Sequence, residues 1–314
     1  MKRRRYIAGR LGQACLVLVG VTVLTFLLIH IVPGDPARTI LGVHATTRAV
    51  RELDQQFGLN RSLPVQLWGY FGRVLQGNLG TSYYYHSSAG SLILNALPVT
   101  IWLITLGMLI ATVVAVPLAI WAATRAGRIP DHVVRVVPMV GLGMPPFWIG
   151  FVLLILLSLD LKIFPSGGYG STFGQHVQSL ILPAITVAAG TMPLLVRSLR
   201  ASLIEILDSD YIRAAAAKGL SRRRVLGRHA LRNAMLPTVS VLAVNAGFWV
   251  GGTVVIEQVF NLPGLGNLML TGVLNRDFQV VQSVALVYGV MIVIVNLAAD
   301  LLYSYIDPRV VLGE

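Results

Sequence analysis

Windows of about twenty apolar residues recur along this chain, each long enough to cross a hydrocarbon core of about 30 Å. That recurrence limits what the polymer can become. Inside lipid every backbone N–H and C=O must find a partner within the chain, so apolar runs of this length can only span as helices. Charged residues make up 12% of the chain and apolar ones 55%, whereas soluble domains carry about 25% charged residues. The expected class is an all-α polytopic membrane protein, a single transmembrane domain over 1–314. Six transmembrane helices are predicted, at about 9–31, 97–121, 136–157, 181–199, 236–260 and 281–306.

The net charge of +12 does not point to nucleic acid, because the basic residues collect between the spans. With the N-terminus inside, the segments 1–10, 122–135, 197–235 and 307–314 hold 18 of the 25 Lys and Arg. Of the other seven, five fall in one long loop, a kind of segment that weighs little in orientation. Both termini are therefore expected on the cytoplasmic side of the membrane. The first span follows Lys2, Arg3, Arg4 and Arg5 but is longer than a signal-peptide core and ends in no small-residue cleavage site, so it reads as retained. Cys15 is the one cysteine, which excludes an intrachain disulfide.

The extracytoplasmic segment, about 32–96, looks ordered. It opens on the turn cluster Pro33-Gly34-Asp35-Pro36. A helix capped by Thr46 or Thr47 would then align Val50, Leu53 and Phe57 up to Gly58. Pro64 would open a second helix bearing Leu67, Trp68, Phe71 and Leu75, and such helices suit an outer membrane interface. The segment serves equally as a lid on the bundle or as a partner surface. Tyr83, Tyr84 and Tyr85 then approach span two, where aromatic residues favour the headgroup level.

Within the spans, Gly141, Gly143, Pro145 and Pro146 predict a kink in span three, and Pro183, Gly190 and Pro193 repeat the theme in span four. Span five sets Ala243, Gly247 and Gly251 four residues apart, a face for close helix contact within the bundle or with a second subunit. Polar groups are few. Asn245, Glu257 and Asn296 are the pathway candidates, and Asp300 is expected in a salt bridge near the cytoplasmic end of span six.

The longest water-compatible stretch of the second half is DSDYIRAAAAKGLSRRRVLGRHALRNAMLP, residues 208–237, all but its last two residues in the cytoplasmic loop 200–235. Ser209 or Asp210 would cap a helix through the Ala214–Ala217 run, with Lys218 at its negative end and Gly219 as its stop. Ser221 would cap a second helix carrying Arg222, Arg223, Arg224 and Arg228, and Pro237 would open the next element. A helix–Gly–helix on the wet side of a membrane is a docking surface in search of a partner. The chain has no GxxxxGK[ST] motif, so it is not an ATPase by itself. It also lacks HExxH, GxSxG and any paired intramembrane carboxylates, which disfavours a metal site, a membrane enzyme and a stand-alone ion-coupled carrier.

The same stretch resembles the EAA loop of ABC importer permeases, whose short helices dock on a cytosolic ATPase. Arg213-Ala214-Ala215 and Gly219 keep the spacing of Glu-Ala-Ala-x-x-x-Gly, with Arg213 in place of Glu. His229 and Arg232 stand where that pattern carries Ile and Pro. Further segments are similar to the first of the two permeases of dipeptide/oligopeptide/nickel importers. They are HIVPGDPA at 30–37, FGLNRSLPVQLWGYFGRVLQGNLGTSY at 57–83, EQVFNLPGLGNLML at 257–270 and DLLYSYIDPR at 300–309.

The resemblance implies a type I ABC importer fold in a bacterial inner membrane, with a coupling-helix loop between helices 4 and 5. It also implies a heterodimer with a second homologous permease, two cytosolic ATPase subunits that bind ATP and Mg, and an extracytoplasmic substrate-binding protein. On that basis Asp210, Arg213, Ala214, Ala215, Gly219, Arg222, Arg223 and Arg224 are assigned to ATPase docking. Positive-inside topology and lipid phosphates are the competing account of the arginines. The expected cargo is dipeptides or oligopeptides, with nickel, a nickel chelate or glutathione as the alternative.

Overall fold

The computed structural model describes residues 2–31, 46–48 and 61–306. The turn at 33–36, the helix expected over about 47–57 from residue 49 onward and the C-terminal end from 307 lie outside these residues. The described residues form helices α1 (Lys2–Ile31), α2 (Leu63–Leu75), α3 (Ala89–Ala123), α4 (Ile129–Leu142), α5 (Pro146–Asp160) and α6 (Phe173–Leu207). After these come α7 (Asp210–Ala217), α8 (Arg222–Val259), α9 (Leu265–Leu274) and α10 (Phe278–Ile306). Four of them, α3, α6, α8 and α10, are single helices long and apolar enough to cross a membrane, and α4 with α5 makes a bent fifth.

The centre of the bundle is α3 against α6, with α8 laid over both. Gly107 permits the α3–α6 approach, since a Cβ there would come within 2.5 Å of Val187 Cγ1. Where α8 crosses α6, the Trp249 indole N–H donates to Thr191 Oγ1 at 2.8 Å while the ring covers Gly190, where a Cβ would meet it at 2.9 Å. Leu103, Leu182, Val187, Trp249, Val250 and Phe260 fill the core between these helices. α10 closes one flank, and α1 packs on α10 at Gly289, beside Leu18 and Val21. Arg10 ties α1 to α10 by a 2.8 Å ion pair to Asp300, the salt bridge expected for that residue.

Proline has less effect on helix continuity than the sequence suggests. Pro183 and Pro193 lie buried inside one unbroken 35-residue α6, which starts on a capping box between Thr172 and Gln175. Pro237 does not open an element. It sits within α8, so the second short helix and span five are one continuous helix. A π-helical turn, Val225–Ala230, makes this possible. Its one extra residue rotates the helix so that Val225, Ala230, Ala234 and Thr238 all face the interior. Span three departs the other way. In place of one kinked helix there are two, α4 and α5, meeting at 96° across Gly143–Pro145.

The two ends of the bundle are held differently. At the α6–α7 end, Asp131 in the first turn of α4 accepts from the Arg200 guanidinium, Nε on Oδ1 and a terminal nitrogen on Oδ2 at 2.7 Å. At the opposite end, Asp277 accepts from the Ser82 hydroxyl, from Tyr84 N–H at 3.2 Å and from Val280 N–H at 3.3 Å, which pins the 76–88 loop to the start of α10. Of the tyrosine run, Tyr84 and Tyr85 are exposed, and burial pushes the Tyr83 hydroxyl above its ordinary range against the lowering effect of its hydrogen bond to Gln279. In α2 the buried aromatic is Tyr70, while Trp68 and Leu75 point outward at 80% and 86% exposure.

Candidate functional site

The helix–Gly–helix stretch forms a built surface. Ser209 takes the N-cap position of α7 with extended backbone, but its hydroxyl donates back to Ile206 O, so neither it nor Asp210 caps by a side chain. α7 ends in a Schellman motif: Gly219 N–H donates to Ala216 O at 3.0 Å and Leu220 N–H to Ala215 O at 3.4 Å. Gly219 has φ +80°, the left-handed conformation this closure needs and a Cβ resists. Leu220 completes the motif by joining the apolar cluster that contains Ala215.

That cluster fastens the surface to the bundle. Ile212 and Ala215 of α7 and Val225, Ala230 and Ala234 of α8 pack with Leu199 and Leu203 of α6 and with Ala119 and Ala123 at the end of α3. A displacement of α7 therefore bears directly on two central helices. Of the residues assigned to docking, Ala215 is on this buried face and anchors rather than presents. Asp210, Arg213, Ala214, Gly219, Arg222, Arg223 and Arg224 are exposed on the other face. Arg213 occupies the position where the wider pattern has Glu. It closes locally on Asp208, at 2.6 Å, and approaches Asp210 at 4.0 Å.

Two residues the sequence reading passed over complete the surface. Asn233 Nδ2 donates to the Tyr211 hydroxyl at 3.0 Å, linking α7 to α8 across the turn. No local motif marks this pair, because the partners stand 22 residues apart.

The pathway candidates are not gathered in one cavity. Asn245 donates to Val241 O in its own helix at 2.8 Å. Asn296 lines a cleft of about 520 Å³ between α1 and α10. Glu257 is fully enclosed at the opposite end and acts as a clamp: Thr100 Oγ1 donates to its Oε1 at 2.8 Å and Asn267 N–H to its Oε2 at 2.9 Å. Thr100 in turn accepts from Leu265 N–H at 2.8 Å, so one carboxylate joins α3, α8 and the start of α9. Gly264 and Gly266 leave the space it occupies. A larger cleft at this end, about 670 Å³, is lined by Tyr85, Asn95, Trp102, Tyr169, His176 and Asn267, with the Tyr169 and His176 rings stacked at 4.0 Å.

Among the described residues, nothing packs on the Gly247 and Gly251 part of the small-residue face of α8. A Cβ on Gly247 or Gly251 would meet nothing within 4 Å, and Val244, Phe248 and Val255 beside them are exposed.

A family model described as binding-protein-dependent transport system inner membrane component matches residues 115–312, and one for the N-terminal part of such components matches residues 3–104. The chain is 37% identical over 305 residues to the glutathione transport system permease protein GsiC of Salmonella choleraesuis (strain SC-B67), covering 97% of this chain and 98% of that one. It is 33% identical over 311 residues to the oligopeptide transport system permease protein AppB of Bacillus subtilis (strain 168), with the same coverage, 97% and 98%. Among solved structures, an inward-facing conformation of the MetNI methionine ABC transporter superposes with a TM-score of 0.57 at 16% identity, over 69% of this chain and 96% of the other.

Proposed function

The chain belongs to the family of binding-protein-dependent transport system inner membrane components, and on that premise we propose that it forms half of the translocation pathway of an ATP-driven peptide importer. The single observation that carries this reading is the α7–Gly219–α8 surface, apolar and anchored below, charged and exposed above. Two cytosolic ATPases, one on this chain and one on its partner, supply the ATP and Mg chemistry. Their closure pushes α7, and the cluster around Leu199 and Leu203 passes that movement to α3 and α6.

Six crossings with both termini cytoplasmic complete the arrangement, α1 and the bent α4–α5 pair counting as one each. The open face at Gly247 and Gly251 takes a second, homologous permease, since bare helix backbone flanked by exposed Val244, Phe248 and Val255 suits close packing against another helix. The extracytoplasmic binding protein delivers cargo at the Glu257 end.

Dipeptides or oligopeptides are the proposed cargo. The 37% identity to a glutathione permease supports a second reading, glutathione itself, which is also a small peptide. Purified complex in liposomes decides between them. Labelled dipeptide and labelled glutathione are offered separately, with ATP inside and the binding protein outside. Uptake of the dipeptide that excess glutathione does not reduce supports the first reading. Uptake of glutathione alone supports the second. Uptake by this chain without its partners, or without ATP, overturns both.

A further inference from the structure

The geometry points to Asp131 and Arg200 as the positioning pair that hands movement of the docking surface on to the broken helix pair α4–α5, an inference that rests on the importer reading above. Asp131 is 1% exposed and holds both guanidinium contacts from Arg200, and a third bond from Gly127 N–H at 2.9 Å ties it to the α3–α4 turn. A carboxylate this enclosed is stable only while all three bonds persist, so the pair behaves as a rigid joint.

Its location gives the joint a direction. Arg200 lies between Leu199 and Leu203, which are buried against Ile212, Ala215, Val225 and Ala230 of the docking surface. On the other side, Val134, one turn beyond Asp131, packs with Ala122, Leu195 and Val196. The last turns of α6 thus touch α7 and α8 through their leucines and grip α4 through their arginine. α4 then runs to the 96° break, after which Gly150 of α5 rests on Phe260 and Thr186 in the core. Apolar contacts alone would let α4 slide along α6. The bidentate, buried pair fixes its register, so α4 must follow when α6 moves.

The test uses the complete importer in liposomes and measures cargo moved per ATP hydrolysed. Asp131→Asn and Arg200→Met should lower this ratio by roughly 5- to 150-fold, the range of ordinary coupling between sites, while the ATPases still co-purify and still hydrolyse ATP. The exchange Asp131→Arg with Arg200→Asp restores opposite charges at the joint and should recover part of the ratio. A purely structural pair would lose assembly and transport together with cargo per ATP unchanged in the complexes that remain, and that result overturns the inference. Loss of all assembled complex in the single variants, with no recovery in the exchanged one, counts against it in the same way. Absence of ATP-dependent uptake by the wild-type complex removes the importer reading itself, and the joint with it.

Discussion

At Gly219 a single backbone angle decides how α7 meets α8. Gly219→Ala retains the chain path at a cost of about 1 to 2 kcal/mol for a left-handed non-glycine residue, and it should lower the thermal midpoint of the purified complex only slightly. Gly219→Pro is different, because its ring forbids positive φ and removes the N–H that closes on Ala216. We expect it to uncouple ATP hydrolysis from uptake while membrane insertion, followed by protease protection, stays normal. Transport at the wild-type rate in that variant would sink the docking assignment. At the opposite end, Glu257→Ala strips a buried acceptor from Asn267 N–H and from Thr100. An unsatisfied buried donor costs about 1 to 3 kcal/mol, so heat should inactivate this variant at a clearly lower temperature, with no change in ATPase co-purification.

Among the elements, the π-helical turn of α8 has the clearest consequence. It keeps Val225, Ala230 and Ala234 on one face despite the five-residue step between the first two. Deleting Gly227, which is exposed and where a Cβ would meet nothing within 4 Å, removes the extra residue and leaves Val225 four residues before Ala230, the step of a regular α-helix. Val225 then stays in the cluster. The deletion should leave α8 spanning and the ATPases co-purifying. An alanine inserted after Gly227 instead adds a residue that no turn absorbs and rotates everything before it by about 100°. It should reduce ATPase co-purification severely, a contrast readable from pull-down and insertion assays. The α4–α5 break shows the opposite use of helix irregularity. Gly143 and the Pro145-Pro146 pair end one helix and begin another, so a span read as kinked becomes two levers at 96°.

For the whole molecule, sidedness is the property on which the proposed function depends. The orientation proposed from charge puts the α6–α7 end, with the α3–α4 turn beside it, in the cytoplasm. With Cys15 replaced by serine, Gln76→Cys should react with a membrane-impermeant maleimide on intact cells. Ala126→Cys, exposed on the other end of the bundle, should react only after permeabilisation. The reverse pattern would invert the molecule and put the arginine-bearing surface out of reach of any cytosolic ATPase. Among the described residues, one cleft lies open between α1 and α10 and another is walled by Tyr85, Trp102 and Tyr169. Neither collects Asn245, Glu257 and Asn296 together.

The sequence by itself determined the helical membrane class, the places where apolar helices form and the helix–Gly–helix with its φ-positive glycine. Each of these depends on composition or on neighbours a few residues away: apolar length, period, caps and Gly219. Ala215, the Tyr211–Asn233 bond, the Asp131–Arg200 joint and the Glu257 clamp were decided only by tertiary structure. The side-chain partners that define them lie between 22 and 157 residues distant, or across a helix whose register a π turn has shifted. A buried carboxylate looks the same in a sequence whether it lines a path or holds helices together. Only the three-dimensional arrangement of its donors separates the two, because burial without bonds would be too costly to persist.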